Sequence, residues 1–345
     1  MMRVGISYDP IYLEHKTGNH PENPRRLEET VKLLKSEGVF DRLRQIPTRP
    51  ASHDELLLVH DESHIRRVES FSRAGGGWLD ADTVLSPESY EVALYAAGAL
   101  LRAVDELIRW DMDSIFCLVR PPGHHATPLR AMGFCLFNNI AIAAKYAIKE
   151  HGINRVLIVD FDVHHGNGTQ EIFYDDPDVL YFSTHQYPFY PGTGTVDETG
   201  HGAGKGKCVN IPLPAYSGDE EYIRVYEEIL VPIAERFAPE FIMVSAGYDP
   251  HWADELALMQ LTTHGFARIV EIIKNLSEKL CPGKLLFTLE GGYNLTALSH
   301  SILATLKVLM GERDIKDPLG KPRIVRKPPS IEPIIEAVKR VHNLP

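Results

Sequence analysis

Several common signatures are missing from this chain of 345 residues. No apolar run reaches the roughly 18 residues that a membrane-spanning helix needs, so we expect neither a membrane span nor a membrane partner. The first residues, MMRVGISYD, lack a signal-peptide pattern. The four cysteines lie far apart without a Cys-x-x-Cys pair, so neither a zinc knuckle nor a disulfide framework is indicated. These absences favour a cytoplasmic protein with reduced thiols.

Two kinds of active site and one kind of partner are also disfavoured. No segment has the form of a nucleophilic serine or cysteine elbow, and the glycines of residues 200–206 are not followed by the Lys-Ser/Thr of a phosphate loop. Positive charge is scarce, since 36 lysines and arginines face 47 aspartates and glutamates. The formal charge of -11 argues against nucleic acid as a direct partner and is compatible with a cationic substrate.

Strand-like and helix-like segments alternate along the chain, which predicts an α/β fold with a central parallel sheet and helices on both faces. Without a linker or a repeat, we expect a single domain over residues 1–345, with residues 311–345 packing as an extension. The predicted strands cover residues 2–8, 115–119, 156–159, 179–183, 209–213, 241–245 and 284–289. One predicted helix begins at Pro24, one follows Asn294 and one begins at about Ile331. The other predicted helices cover residues 55–60, 62–74, 88–109, 137–150, 219–236 and 262–279.

The stretch of residues 155–169, RVLIVDFDVHHGNGT, is the most informative segment. Its apolar first half fits a strand buried on both faces. The strand leads into Asp160, Asp162 and His164, which in an extended chain would point to one side. Two carboxylates and an imidazole at the exit of a buried strand suit a divalent metal.

Polar groups also follow three other predicted strands. His124 and His125 come after Pro-Pro-Gly, Asp249 ends SAGYD, and Tyr293 follows Gly-Gly. Because the carboxyl ends of parallel strands lie on one edge of a sheet, we expect these groups to converge.

A catalytic zinc takes three protein ligands and keeps one position open. Asp162 and His164 supply two, and Asp249 is the natural third, although an Asp-Pro pair is also common in turns. Asp160 would then orient one histidine, and Asn167, unless it is only a turn residue, would orient the other as a neutral acceptor.

The hydroxyl of Tyr293 is a candidate oxyanion donor, the alternative being an aromatic ring that packs on the core. The parts predict a hydrolase in which zinc polarises a carbonyl, a histidine accepts the proton of water, and a tyrosine stabilises the oxyanion.

The motifs RPPGHH, DFDVHHGNGTQ, SAGYD and LEGGY occur in this order and resemble those of the zinc-dependent histone deacetylase family, which includes acetylpolyamine amidohydrolases. The resemblance runs from about His20 to Leu309 and implies the arginase-like α/β fold of that family. HPENPRRL and HHGNGTQ look more like the class II branch and its bacterial relatives, since class I proteins have Asp where this chain has Asn167.

The resemblance also implies roles for single residues. His125, paired with Asn167, would be the general base, and His124, paired with Asp160, the electrostatic partner or acid. Tyr293 would polarise the carbonyl, which implies an efficient deacetylase. The residues that match the family's zinc ligands are Asp162, His164 and Asp249.

Further matches lie in the channel that would hold the acylated side chain. Gly133 and Phe134 match one side and Tyr190 the other, where many relatives have Phe, so the hydroxyl would make that wall more polar. Asp82 falls where the family often has an acidic residue that binds the substrate backbone. Cys135 should lie close to the channel as a small buried residue.

Two further implied features lie away from the channel. Arg26 resembles an arginine behind the active site, near the acetate exit. The family also binds K⁺, through main-chain carbonyls of the Asp160, Asp162 and His164 stretch and the Ser183 hydroxyl, and Phe173 and Val179 match a second such site.

The leading hypothesis is therefore zinc-dependent hydrolysis of an acetylated amine to acetate and free amine. An arginase-like ureohydrolase would need two metals and further Asp ligands, whereas this chain offers His-His and Tyr293. A non-catalytic protein that binds an acylated ligand would predict a damaged set of catalytic residues, and none is missing. Fe(II) and Co(II) are alternatives to zinc, and a homo-oligomer is left open.

The substrate depends on the rim of the channel. Acetyl-lysine in a polypeptide, an acetylated polyamine and a small acetylated metabolite would all use this chemistry. An acidic mouth would favour polyamines, and the candidates for such a residue are Glu14, Asp80, Asp82, Asp254 and Glu255.

Overall fold

The structure of the chain is a computed structural model that describes residues 3–109 and 112–345. Its strands, in chain order, are β1 (Val4–Ser7), β2 (Arg44–Gln45), β3 (Gly77–Trp78), β4 (Val84–Leu85), β5 (Ser114–Cys117), β6 (Val156–Asp160), β7 (Val179–Gln186), β8 (Cys208–Leu213), β9 (Phe241–Ala246) and β10 (Leu285–Leu289). Eight of them form one sheet in the order β2-β1-β5-β10-β9-β6-β7-β8, while β3 and β4 pair separately and antiparallel.

Every pairing in the large sheet is parallel. The residues of β5, β6, β7, β9 and β10 are all buried, and most of them are apolar. Strands of this composition need cover on both faces, which the flanking helices provide. The predicted fold class is confirmed.

The helices, in chain order, are α1 (Arg25–Ser36), α2 (His53–Leu56), α3 (Glu62–Arg73), α4 (Ser89–Ile108), α5 (Asn139–His151), α6 (Asn167–Phe173), α7 (Asp219–Val225), α8 (Val231–Phe237), α9 (Thr263–Leu280), α10 (Leu295–Leu309) and α11 (Glu332–His342). Short 3-10 turns lie at Pro10–Glu14, Phe40–Arg42 and Gly202–Gly204. In one group of helices α10 packs against α1 and α9, and in the other α4 packs against α5.

Local chemistry sets several helix boundaries. Asn138, Thr262 and Asn294 each accept a hydrogen bond from a backbone N–H in the first turn of α5, α9 and α10. Gly152 ends α5 in the left-handed conformation, with φ of 66°.

Some predicted boundaries are wrong. The helix predicted over residues 55–60 is the single turn α2, because Ser52 and Glu55 form a capping box earlier in the chain. Strand β7 continues past residue 183 to Gln186, because residues 184–186 pair with 211–213 of β8. Met2, where the first strand was predicted to begin, lies outside the described residues.

Two segments outside the predicted strands and helices, and one predicted helix, contain additional structure. The segment of residues 9–23 includes the 3-10 turn Pro10–Glu14, and the segment of residues 75–87 includes the β3–β4 pair. The helix predicted over residues 219–236 consists of α7 and α8 joined by a π turn, Tyr226–Leu230.

The C-terminal segment runs back over the rest of the molecule. The indole of Trp252 donates a hydrogen bond to the carbonyl of Gly320 (2.7 Å), and α11 packs against β8 and the π turn. Within the described residues, no helix combines the length and the apolar character needed to cross a bilayer.

Candidate active site

Four neighbouring strands of the sheet, in the order β5-β10-β9-β6, carry the predicted polar groups beyond their carboxyl ends. His124 and His125 follow β5, Tyr293 follows β10, Asp249 follows β9, and Asp160 ends β6. The adjacency of these strands is what brings together residues that are far apart in the chain.

The three predicted metal ligands lie together. One ligand atom from each of Asp162, His164 and Asp249 lies within 4.8 Å of the others. Nδ1 of His164 is 3.1 Å from Oδ1 of Asp162 and 3.3 Å from Oδ2 of Asp249. Oδ2 of Asp249 is buried and accepts no hydrogen bond from the described residues.

Extended-chain alternation does not bring these side chains together, contrary to the prediction. Strand β6 ends at Asp160, and two tight turns follow. Oδ1 of Asp160 accepts the N–H of Asp162 (3.1 Å), and Oδ1 of Asp162 accepts the N–H of His164 (2.9 Å). Short Asp side chains readily bond the backbone two residues on, which turns Asp162 and His164 toward Asp249.

The electrostatics of this group favour a cation. Burial alone would lower the pKa of His164, but Asp162 and Asp249 raise it to about 10. Burial and the charge of Asp162 raise the pKa of Asp249 to about 7. Two buried carboxylates facing one imidazole nitrogen fit a divalent metal with an Asp-His-Asp ligand set.

The two histidines after β5 lie in contrasting environments. Nδ1 of His124 is 3.0 Å from Oδ2 of Asp160, which also accepts the hydroxyl of Tyr181 (3.0 Å). Nδ1 of His125 is instead 2.8 Å from the amide oxygen of Asn167. The centroids of the two imidazole rings are 4.1 Å apart.

The pKa values of the two imidazoles are therefore pushed apart. Burial opposes protonation of His124, but Asp160 and Asp162 raise its pKa to about 10. Burial and the positive charges of His124 and His164 place the pKa of His125 well below its usual range. Such a pair offers one cationic and one neutral imidazole at neutral pH.

Tyr293 is held through its backbone. Oδ2 of Asp254 accepts the N–H of Tyr293 (2.6 Å) and of Asn294 (2.9 Å). The guanidinium of Arg26 lies over the Tyr293 ring, 5.0 Å from its centroid. Burial and the charge of Asp249 raise the pKa of the phenol well above its usual value, so it remains a hydrogen-bond donor at neutral pH.

These groups open onto a cavity of about 200 Å³. Phe134 lies edge-on to Tyr293 (5.7 Å between centroids), and Tyr190 lies edge-on to His125 (5.2 Å). Gly133 has φ of 55°, and a Cβ there would overlap the ring of His125, so this turn requires glycine. The lining residues are Asp82, Pro122, His124, His125, Gly133, Phe134, His164, Phe189, Tyr190, Leu256, Gly291 and Tyr293.

Four lining residues were not predicted, and two of them, Pro122 and Gly291, belong to the motifs RPPGHH and LEGGY. Phe189 stacks on the ring of His164, with centroids 5.5 Å apart and planes at 19°. Its position beside Tyr190 was the available signal. Leu256 lies in an irregular loop whose sequence gives no indication that it borders the cavity.

The acidic residues proposed for the mouth are dispersed. Asp82 is at the cavity, and its Oδ1 accepts the N–H of Gly133 (3.1 Å). Asp254 is buried and occupied with the Tyr293 segment, while Glu14 pairs with Lys16 (2.7 Å). Asp80 and Glu255 are exposed and do not line the cavity.

The remaining predicted residues do not line the cavity. The Ser183 hydroxyl is buried beside Nδ1 of His185 (2.9 Å), and Ser183 pairs in register with Asp160. Phe173 ends α6, and Val179 begins β7. Cys135 is fully buried, with Sγ 3.3 Å from the carbonyl oxygen of Gly133.

The parallel sheet and its cavity are those of an α/β amidohydrolase. The sequence matches the histone deacetylase domain over residues 20–309, and the chain belongs to that family of amide hydrolases.

The sequence aligns with those of known relatives along nearly its whole length. A probable deacetylase of Archaeoglobus fulgidus is 41% identical, covering 99% of this chain and 98% of its own. The histone deacetylase-like amidohydrolase of Pseudomonas aeruginosa is 39% identical, covering 92% and 89%. The crystal structure of the HDA15 HD domain superposes with a TM-score of 0.88 at 38% identity, over 98% of this chain and 95% of that one.

Proposed function

We propose that this protein is a zinc-dependent deacetylase that hydrolyses acetyl-lysine in a polypeptide to acetate and lysine. The observation that carries the proposal is the meeting of the Asp162, His164 and Asp249 group with His125 and Tyr293 at one narrow cavity. Membership of a family of amide hydrolases supports it.

Zinc would be held by Nδ1 of His164 and one carboxylate oxygen each from Asp162 and Asp249. The buried Oδ2 of Asp249, which accepts no hydrogen bond from the described residues, fits this assignment. When bound, the metal would supply Lewis-acid polarisation of the amide carbonyl and of the attacking water.

The protein side chains would then handle the protons. Nδ1 of His125 is engaged with Asn167, so its Nε2 is the atom that accepts the proton of water. The imidazole of His124, with a pKa near 10, stays cationic and stabilises the negative charge that develops, or protonates the leaving amine. The Tyr293 hydroxyl donates to the oxyanion.

The walls of the cavity suit an alkyl chain that ends in an amide. Phe134 and Tyr190 would enclose the methylenes of the substrate, with Gly133 packed against the ring of His125. Asp82 would accept N–H groups of the substrate backbone at the mouth.

The rim favours a polypeptide over a polyamine. An acetylated polyamine carries further ammonium groups, and Asp82 is the one acidic residue among those that line the described cavity at its mouth. Two apolar side chains next to lining residues are exposed. Trp78 is 63% accessible, and its ring contacts that of His20, which in turn contacts Phe134. Leu258, two residues after Leu256, is 51% accessible. Exposed apolar surface of this kind suits a polypeptide that extends beyond its lysine.

We include a K⁺ ion in the proposal. It would be held by main-chain carbonyls of the Asp160, Asp162 and His164 segment and by the Ser183 hydroxyl. The buried Ser183 side chain and its register with Asp160 support this site, and Phe173 and Val179 would border a second one. Arg26 would lie on the path by which acetate leaves.

A competition experiment tests the substrate class. Zinc-loaded protein would receive an acetyl-lysine peptide and an acetylated polyamine, and kcat/KM would be compared. We expect a preference for the peptide of about a hundredfold, equivalent to about 2.7 kcal/mol. The opposite preference would contradict the polypeptide assignment, and no turnover of either substrate would contradict the proposed function.

A further inference from the structure

A fully buried carboxylate, that of Glu22, lies between two fully buried guanidiniums. Oε1 of Glu22 accepts hydrogen bonds from Nη1 of Arg26 (3.1 Å) and from Nε of Arg120. Oε2 accepts a second hydrogen bond from Arg120, at Nη2 (2.7 Å). None of these three side chains lines the cavity.

Arg26 connects this carboxylate to the segment that carries Tyr293. Its Nε donates to the carbonyl of Gly292 (2.7 Å) and its Nη2 to the carbonyl of Glu290 (2.5 Å). Its guanidinium also lies over the Tyr293 ring. The backbone on the N-terminal side of Tyr293 is therefore fixed by one side chain, whose orientation depends on Glu22.

Arg120 anchors the other side of Glu22. Its Nη1 donates to the carbonyl of Tyr12 (2.9 Å) and its Nη2 to the carbonyl of His15 (3.1 Å). Arg120 also precedes the segment that carries His124. Glu22 therefore links Arg26 to Arg120 and, through Arg120, to the backbone of Tyr12 and His15.

Glu290 makes a second connection between the segment that carries Tyr293 and the segment that carries His124. The carboxylate of Glu290 accepts the N–H of Gly123 (2.7 Å) and of His124 (3.2 Å). The histidine segment and the tyrosine segment are thus joined twice, through Glu290 and through Glu22.

We propose that Glu22 is a positioning residue, which acts through Arg26 to hold Tyr293 at the distance from the histidines that the reaction needs. The inference rests on the proposed deacetylase function. A buried ion pair is weak evidence for a contribution to stability, because the cost of desolvation offsets much of the attraction. Fixing the geometry of a donor that acts in the transition state is a more specific use of these charges.

The test is a double-mutant cycle of Glu22→Gln and Tyr293→Phe. The amide keeps the shape of Glu22 but presents N–H groups to a guanidinium. We expect Glu22→Gln alone to lower kcat about tenfold or more with KM nearly unchanged, which is the signature of an interaction used in the transition state. In the Tyr293→Phe background the same change should cost less than about threefold, because the group being positioned is absent.

Glu106→Gln is the matched control. Glu106 is also buried and also lies between two arginines, Arg102 (2.5 Å) and Arg44 (3.6 Å), but it does not line the cavity. It should leave kcat unchanged, even if it lowers the thermal midpoint. Metal content and thermal midpoint would be measured for every variant.

The outcomes separate three cases. An unchanged kcat in Glu22→Gln, or an equal loss in both backgrounds, would overturn the inference. An inactive wild-type protein would contradict the proposed function instead. If Glu22→Gln does not fold, Glu22→Asp, which keeps the charge and withdraws it by one methylene, enters the same cycle with the same criteria.

Discussion

Two residues of the same type differ in their chemistry here because each has a different neighbouring atom. His124 and His125 are adjacent in the chain and both are buried. The difference between them arises from a carboxylate on one and an amide on the other. Because an amide oxygen is neutral, it fixes the ring of His125 without raising its pKa as a carboxylate would.

Replacing Asn167 with aspartate should shift the pH dependence of the reaction. A carboxylate at Nδ1 stabilises the imidazolium and raises the pKa of His125, so the base is lost to protonation at higher pH. We expect the acid limb of the kcat/KM profile to move up by about one pH unit or more. Asn275→Asp, at an exposed position on α9, is the control and should leave the limb in place.

An acid limb that does not move in Asn167→Asp would show that His125 is not the base.

Replacing Tyr293 with phenylalanine removes only a hydroxyl. If that hydroxyl donates to the oxyanion, kcat should fall by about two to three orders of magnitude. Metal content and KM should change little. Tyr12→Phe is the control, since Tyr12 is buried with its hydroxyl 3.3 Å from Oγ1 of Thr48 and does not line the cavity.

Turnover by Tyr293→Phe equal to that of Tyr12→Phe would exclude the assigned role.

At the residue scale, motif and spacing predicted the types of group that meet, but not the contacts behind them. Tyr181, Asp254 and Glu290 hold the site through hydrogen bonds to the residues that line or support it. A tyrosine inside a strand or an acid in a loop looks the same in sequence whether or not it has such a role. Three-dimensional contact is the missing information.

At the scale of elements, the strand exits are crowded, and glycine is what allows the crowding. A Cβ added at Gly247 would overlap Oδ2 of Asp162, and one added at Gly291 would overlap Oδ2 of Asp249. The backbones that leave β9 and β10 thus pass directly against the two carboxylates.

Gly291→Ala should therefore weaken metal binding without unfolding the protein. The added methyl group displaces the carboxylate of Asp249, and a ligand set needs its donor atoms close to ideal positions. We expect zinc affinity to fall about tenfold or more, because changes to the groups that orient metal ligands commonly cost about tenfold to a hundredfold in affinity. Competition with a chelator measures this.

Gly5→Ala supplies the matched control, since it adds the same methyl group to β1, where the nearest atoms are flexible isoleucine side chains. Equal zinc affinity in the two variants would contradict the explanation.

The period of the hydrophobic residues predicted the type of the long helices and strands. It did not predict where every element ends, nor the existence of very short elements. The strand β6 and the helices α4 and α9 are long or strongly patterned and lie where predicted. The β3–β4 pair has two residues in each strand, too few for a period to be visible.

At the scale of the whole molecule, the order of strands decides the site. Strands β5, β10, β9 and β6 are neighbours in the sheet although their sequence order is different. Alternation of strands and helices predicts a parallel sheet, but it does not specify this order. The order and the loop that brings Leu256 to the cavity depend on long-range packing and required the structure.

The buried histidines make the stability of the whole molecule sensitive to acid. Burial lowers the pKa of five of them, to about 3 or about 4: His15, His60, His185, His251 and His342. In the unfolded chain each titrates near 6.5. Below that pH the unfolded state binds protons that the folded state cannot, so their stabilising contribution is lost as the pH falls.

Each such histidine contributes a slope of about 1.4 kcal/mol per pH unit once the pH is well below 6.5. Asp249 and Glu290 oppose this, because burial raises their pKa to about 7 and the folded state then takes up protons. His124 and His164 also oppose it, because neighbouring carboxylates raise their pKa to about 10. His125 and His165, whose pKa burial places well below the usual range, add to the five. Seven groups against four leave a net loss. We therefore expect the free energy of unfolding in urea to decrease markedly from pH 6.5 to pH 5.5.

His342→Gln isolates the contribution of one histidine to the pH dependence of stability. His342 lies on α11, outside the cavity, and its Nε2 has no hydrogen-bond partner among the described residues. The variant should show a shallower dependence on pH, by about 1 kcal/mol between pH 6.5 and pH 5.5. His201→Gln, at an exposed position, should retain the full slope. If all three proteins lose the same free energy on acidification, the buried neutral histidines are not its cause, and protonation of carboxylates that are ion-paired in the folded state would have to account for the loss.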